Sequence, residues 1–300
     1  MTNEQNIQQS STQQQRSTQQ QNSTQQNTEQ AGPKTILVIG GTGKTGSRVA
    51  ERLTAQGLPV RVGSRNGEPP FVWEDPDTWE AALDGVGSVY VTYYPDLGFP
   101  GAAETVGAFS ELAVKKGARR LVLLSGRGED GAVNSENKLK ESGADWTVVR
   151  ASWFNQNFSE SFFLDPVLAG DLTLPTADAV EPFVDVEDIA DVVTAALTDD
   201  RHIGRTYELS GPRSLSFRDV AAELSQITGR EITYTPVTLD DYRAFLRENG
   251  LPVEFADLFA LILDGRNADV VNGVEEVLGR KPRDFSAFAK DAAATGVWNV

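Results

Sequence analysis

The 300-residue sequence predicts an α/β fold built on a doubly wound parallel sheet, with a smaller, mainly helical part toward the C-terminus. Two observations carry that prediction. Short apolar, β-branched runs bounded by glycine alternate with amphipathic segments of helical period from residue 34 onward. That is the pattern of strands buried on both faces and joined by helical crossovers. The first unit of the series, KTILVIGGTGKTGSRVAERLTAQG at Lys34 to Gly57, also joins strand to helix through a glycine turn.

Residues 1–33 stand apart, with twelve glutamines, many Ser, Thr and Asn, and almost nothing apolar beyond Ile7. Such a segment cannot bury enough surface to offset the entropy of ordering it, so it reads as a disordered tail, with glutamine-rich association as the functional alternative. It has neither the apolar core of a secretory signal nor the basic amphipathic face of a transit peptide. The rest is long enough for one large or two closely joined domains. The absence of cysteine excludes disulfides, thiolate metal sites and a cysteine nucleophile, and points to a cytoplasmic protein. A net charge of −16 with no basic cluster argues against nucleic acid, and no apolar run is long enough to cross a bilayer. The single histidine, His202, reads as a solvated turn residue, which leaves a histidine-based hydrolase or metal centre no second ligand or partner.

In the first unit, Ile36 to Ile39 has the length of a buried strand, and Val49, Ala50 and Leu53 return at helical spacing until Gly57 stops the helix. The turn parses as GxxGxxG (Gly40, Gly43, Gly46) or as GxGxxG (Gly41, Gly43, Gly46). Either describes a backbone that approaches a pyrophosphate at a helix N-terminus, where free N–H groups and the helix dipole meet the anion. Gly43-Lys44-Thr45 imitates the end of a nucleotide-triphosphate loop, yet the glycine required five residues earlier is Val38.

Val60 to Ser64 reads as the second strand. Arg65 follows where an NAD site would carry an acid and an NADP site a cation; with Lys44 as a second cation the reading favours NADP(H) over NAD(H), against Arg65 as an ordinary loop residue. Pro70 to Trp73 reads as a third strand, and Asp75 caps a helix that starts at Pro76 and ends before Gly85. Val89 to Thr92 is a fourth strand whose end places Tyr93 and Tyr94 toward ligand, or packs them into the loop. A helix from Ala102 to Lys116, a strand from Arg120 to Ser125, a helix from Asn134 to Ser142 and a strand from Trp146 to Arg150 continue the alternation. Candidate cofactor contacts are thus Gly40, Thr42, Gly43, Lys44, Thr45 and Gly46 on the turn, then Ser64, Arg65, Thr92, Tyr93, Ser125, Ala151, Trp153 and Phe154 at later strand ends.

GGTGKTG at Gly40–Gly46, VLLSGRG at Val122–Gly128, SGADWTVVRASWFNQNF at Ser142–Phe158, PFVDVEDIADVVTAAL at Pro182–Leu197 and YELSGP at Tyr207–Pro212 occur in this order. Together they resemble the NmrA-like branch of the atypical short-chain dehydrogenase/reductase superfamily. The resemblance implies a Rossmann domain of strand order 3-2-1-4-5-6-7 over residues 34–154, to which 178–212 returns, and a substrate part from 155–177 and 213–300. It also implies NAD(P) in the cleft between them, in proteins that are reductases of quinones, enones, dyes or ethers, or redox sensors without turnover. The superfamily pairs a catalytic tyrosine with a lysine four residues later. Here Lys138 stands four residues after Asn134, so the pair is broken. Two chemical routes remain: an acceptor that delocalises the charge left by hydride addition, or a proton from Tyr93 or Tyr94. Ser125 would then orient acceptor or nicotinamide, and Lys138 would touch ribose or carbonyl.

Phe183–Val184 reads as a strand, Asp185 as the cap of a helix from Glu187 to Leu197, Thr206 to Leu209 as a strand, and Phe217 to Thr228 as an amphipathic helix. Helices at Leu239 to Gly250 and Glu254 to Arg266 follow. The latter is apolar on more than one face and either lines a pocket or meets a second subunit. Trp153, Phe154, Phe158 and Phe162 form the candidate opposing wall for a flat, apolar small molecule. Three functions fit: an NAD(P)H-dependent reductase of a conjugated carbonyl or quinone, a nucleotide-binding regulator acting on a protein partner, and, third, a quinone-type oxygenase.

Overall fold

The structure is a computed structural model that describes residues 34–251, 253 and 255–300, without the side chains of Leu261 and Ile262. The predicted tail at residues 1–33 therefore lies outside the described residues, as does the apolar contribution predicted for Leu261 and Ile262. The chain runs through β1 (Thr35–Ile39), α1 (Lys44–Ala55), β2 (Val60–Gly63), α2 (Asp77–Ala82), β3 (Val86–Val91), α3 (Ala102–Lys115) and β4 (Arg120–Gly126). Next come α4 (Asp130–Glu141), β5 (Asp145–Ala151), α5 (Leu164–Ala169), β6 (Asp171–Leu174), β7 (Val180–Glu181), α6 (Val186–Thr198) and β8 (Arg205–Leu209). The last elements are β9 (Leu215–Ser216), α7 (Phe217–Thr228), β10 (Thr233–Pro236), α8 (Leu239–Glu248), α9 (Phe255–Leu263), α10 (Gly273–Leu278) and α11 (Phe285–Ala294). No described helix is long and apolar enough to cross a membrane.

The central sheet has the order β2-β1-β3-β4-β5-β8, and every pair in it is parallel. Alternate side chains of its strands enter two cores. Leu37, Ile39, Val89 and Val91 face α2, α3 and α4, while Ile36, Val38 and Tyr90 face α1 and α6. A third core, with Phe158, Phe163, Phe183, Phe217, Phe259 and Phe285, holds together α5, α7, α9, α11 and the two small sheets β6–β10 and β7–β9. The α/β, doubly wound prediction holds, with these corrections.

Pro70 to Trp73 is not a strand, so the sheet ends at β2 and the predicted third position is missing. Pro69 and Pro70 have no N–H to give a ladder, and the N–H groups of Phe71 and Val72 are taken by Ser64 O (2.9 Å) and Thr78 Oγ1 (3.1 Å). What the segment contributes is aromatic packing: Phe71 and Trp73 meet edge to face at 5.0 Å, and both pack against Phe109. The following helix starts one residue later than predicted, at Asp77, whose N–H donates to Asp75 Oδ1. The fourth helix begins at Asp130 rather than Asn134. Phe183–Val184 makes only an isolated bridge from Val184 to Phe154; the strand nearby is β7, antiparallel to β9. His202 is buried, not solvated, with Nδ1 2.9 Å from the Tyr207 hydroxyl. Phe158 belongs to the third core, not to a cavity wall.

Two contacts fix how the sheet meets its helices at the site. A Cβ on Gly46 would stand 2.2 Å from the carbonyl oxygen of Gly40, so only glycine lets α1 lie this close to the end of β1. Under the opposite face of the sheet, Glu136 of α4 is fully buried and receives both Nε and Nη2 of Arg150, on β5, at 2.8 Å. Burial alone would raise the Glu136 pKa, but the hydrogen bonds from Arg150 and Ser125 prevail and hold it below the usual range.

Gly46→Ala is expected to lower stability by about 1–3 kcal/mol, since backbone rather than a flexible side chain must move; urea unfolding measures it. Arg150→Met leaves the buried Glu136 carboxylate with only the Ser125 hydroxyl at 2.8 Å and Lys140 at 3.4 Å, and is expected to cost about 3 kcal/mol. Because the Glu136 pKa is depressed in the folded state, its stabilisation is complete above the unfolded value and lost as pH falls through the folded one. The gap between wild type and variant in urea titrations should therefore close toward acid pH.

Candidate functional site

All the strand ends that the sequence singles out open onto one side of the sheet. Beyond β1 the chain enters the glycine turn with Gly40 at φ +65°, a conformation glycine adopts without strain, and the Gly43 N–H donates to Gly40 O at 2.8 Å. Cβ atoms at Gly40 and Gly41 would stand 2.7 Å from Thr92 Oγ1 and 2.9 Å from Val62 Cγ1. α1 then starts from Gly43 with no side-chain cap and no acid in its first turn. α6, by contrast, is capped by Asp185 and carries Glu187 and Asp188. The positive end of α1 is thus left for an external anion.

That end faces a cavity of about 600 Å³ whose lining includes Gly40, Thr42, Gly43, Lys44, Thr45, Ser64, Arg65, Thr92, Tyr93, Tyr94 and Phe154. Gly46 supports the turn from below rather than lining the cavity. Thr45 is nearly buried, and its Oγ1 accepts the Tyr90 hydroxyl at 3.0 Å, which ties the start of α1 to β3. Burial lowers the pKa of Lys44, against the opposing pull of Glu160. Glu74, which sequence reasoning did not place here, lines the same cavity as Arg65. Glycines that admit close backbone approach, an uncapped helix start and two cations fit the phosphates of an elongated dinucleotide.

A second compartment of about 270 Å³ continues from the first, sharing Thr92, Tyr93, Pro95, Leu124 and Phe154 with it. Ser125, Ala151 and Trp153 line this part, together with Phe162 and Leu258 of α9. Trp153 is held by Phe163, nearly parallel at 6.0 Å, and by Phe259 at 5.3 Å. The apolar helix α9 therefore gives Leu258 to the pocket and Phe259 to the core, while Phe255 and Leu263 stay exposed. Tyr94 is 76% exposed and borders only the larger cavity, whereas Tyr93 borders both and packs on Trp73 at 5.1 Å.

Ser125 reaches the compartment but donates its hydroxyl proton to Glu136 at 2.8 Å, so toward the cavity it is an acceptor. Lys138 lines neither compartment. Its stem packs over Gly107 and its ammonium pairs with Glu141 on the exposed face of α4. The helix begins four residues before the predicted start, and nothing in its sequence marks which face turns to the sheet.

The acids of the second compartment, Asp96 and Glu129, were missed as well. Burial, with Asp96 and Glu181 nearby, pushes Glu129 up to about 8. Burial also raises Asp96, against a hydrogen bond from Gly98 N–H, and lifts Glu181 to about 7. The available signal was position alone: both follow strand ends, in YYPD and SGRGE.

The profile of the NmrA-like family matches residues 131–289. The agroclavine dehydrogenase of Claviceps fusiformis is 32% identical over 280 residues, covering 86% of this chain and 96% of that one. An NAD(P)H azoreductase of Xenophilus azovorans is 31% identical over 285 residues, with coverages of 86% and 98%. Among solved structures, the NADPH complex of an NADPH-dependent quinone oxidoreductase from Escherichia coli superposes with a TM-score of 0.69 at 21% identity. It covers 85% of this chain and 99% of its own, a likeness of fold. With motifs, sheet order and relatives in agreement over nearly all described residues, the chain belongs to the NmrA-like family of atypical short-chain dehydrogenases/reductases.

Proposed function

We propose that this protein is an NADP(H)-dependent oxidoreductase that passes hydride to a flat, conjugated carbonyl or quinone. One observation carries the reading: a dinucleotide-sized cavity over the glycine turn runs directly into a compartment walled by Trp153, Phe154 and Phe162. Relatives that reduce small molecules with nicotinamide cofactors support it. The cofactor, when bound, supplies the hydride and its electron pair.

The chain's own groups divide the work. The α1 N-terminus and Lys44 would hold the pyrophosphate, and Arg65 would take the ribose 2′-phosphate, with Glu74 as an opposing charge on the lining of the same cavity. Thr92, Tyr93 and Phe154, common to both compartments, would orient the reacting ring, and the aromatic wall would pack against the acceptor. Quinones and enones spread the charge that hydride addition leaves, which suits a site without the usual Tyr–Lys pair. That broken pair also favours a second reading, a nucleotide-binding redox regulator without turnover.

Calorimetry with NADPH, NADP and NADH, followed by NADPH oxidation against quinones and enones, tests the proposal. Tight NADPH binding with acceptor-dependent oxidation is expected. Binding without turnover on any acceptor would transfer the case to the regulator, and absence of binding would end both. Arg65→Gln is expected to weaken NADPH binding about tenfold or more while leaving NADH nearly unchanged. Equal losses for the two would remove Arg65 from cofactor choice.

A further inference from the structure

We infer that Glu129 is the proton donor of the acceptor compartment, the acid that replaces the missing tyrosine of the Tyr–Lys pair. This rests on the reductase reading above and names the residue that completes it. Glu129 lines the compartment with Ser125 and Gly126, three residues past the end of β4 and immediately before α4. Its carboxyl lies flat on Gly126: a Cβ there would be 2.0 Å from the carboxyl carbon and 2.2 Å from each oxygen. Among the described residues no hydrogen bond or ion pair engages this carboxyl. The proton is therefore not committed within the protein, unlike that of Ser125, which Glu136 accepts.

The surroundings keep the group protonated. Asp96 faces it from the β3–α3 loop and Glu181 from β7; the guanidinium of Arg127, at the end of β4, acts on Glu181. Asp130, at the start of α4, is paired with Arg266, and Asp257 of α9 with Arg243, so neither cation is available to Glu129. Burial and the two neighbouring carboxyls place its pKa near 8, so it is mostly neutral at pH 7. A further cavity of about 340 Å³ shares Asp96, Glu129 and Leu258 with the compartment, which gives water access to the same carboxyl.

In the step proposed, the acceptor carbon gains a C–H bond from the hydride of the dihydronicotinamide, and the carbonyl π pair moves onto oxygen. The Glu129 O–H bond breaks as the new O–H bond forms. The acceptor is reduced by two electrons at the expense of the dihydronicotinamide, and the Glu129 carboxylate regains its proton from water through the adjoining cavity. Since the protonated form is the active one, turnover is level at lower pH and falls as pH rises through about 8.

The test is Glu129→Gln beside wild type, with cyclohexenone and a quinone as acceptors over pH 6 to 10. The expected result is unchanged NADPH binding, a loss of about 10²–10⁴ in kcat with the enone, a smaller loss with the quinone, and no alkaline limb. Infrared spectra of the cofactor-free protein supply a readout apart from activity: a protonated carboxyl band that titrates near pH 8 and is absent from the variant. Wild-type turnover matched by the variant in rate and pH profile overturns the acid and leaves the reductase standing. Disappearance of the limb in Tyr93→Phe with Glu129→Gln unaffected overturns it in favour of the phenol. Activity that rises with pH and falls in Glu129→Gln makes the carboxylate, not the acid, the working form and overturns it too. A wild type that binds NADPH and reduces nothing overturns the reductase reading and the acid with it.

Discussion

The site depends first on how closely a helix can approach the end of a strand. At Gly46 the backbone of α1 passes so near the Gly40 carbonyl that no side chain fits between them. That approach brings the start of α1 over the C-terminal edge of the sheet, and the Tyr90–Thr45 hydrogen bond pins it to β3. Its energetic consequence is local, but its geometric consequence is not. Without it the uncapped N–H groups would point past the cavity, and the glycines of the turn would have nothing to admit.

The other side of the cleft is set by a buried charge. Glu136 sits below the floor at Ser125, and Arg150 neutralises it from β5 with two parallel hydrogen bonds. Arg150 also reaches Glu208 on β8, and Glu208 meets Arg127, so the network crosses from α4 to the edge of the sheet. A fully paired carboxylate of this kind rigidifies the floor while contributing no free proton to it. The next acidic group along the chain, Glu129, has no pairing partner among the described residues, and it is there that the proposed proton transfer falls.

The strands, the crossover helices and the phosphate turn were legible because each depends on local pattern: β-branched runs, helical period and glycine at fixed spacing. Asp185 was readable as a cap for the same reason. Pro70–Trp73 misled because its alternating aromatic residues satisfy a strand pattern, while two prolines and a side-chain acceptor on Thr78 take the backbone out of the ladder. His202 misled because a polar turn sequence gives no sign that Tyr207 will cover it. Lys138 was placed by its spacing from Asn134, and that spacing does not mark which face of the helix it occupies, which is the exposed one. Glu129 and Asp96 went unread because their environment is assembled from β3, β4, β7 and α9, and no spacing within the sequence encodes that meeting.

The two ends of the cleft also differ in charge, and the difference acts on orientation. Lys44, Arg65 and the positive end of α1 lie at one end, with Glu74 as the opposing charge. Asp96 and Glu129 lie at the other, with no basic side chain on the lining among the described residues. A ligand whose negative charge is concentrated in phosphates is drawn to the first end, so an elongated dinucleotide has one favourable direction in the cavity. Burial raises the carboxyl pKa at the second end, which removes the anion that would repel a developing oxyanion in the reaction proposed above. The same desolvation that makes Glu129 a poor carboxylate makes it a serviceable acid for the reduction proposed above.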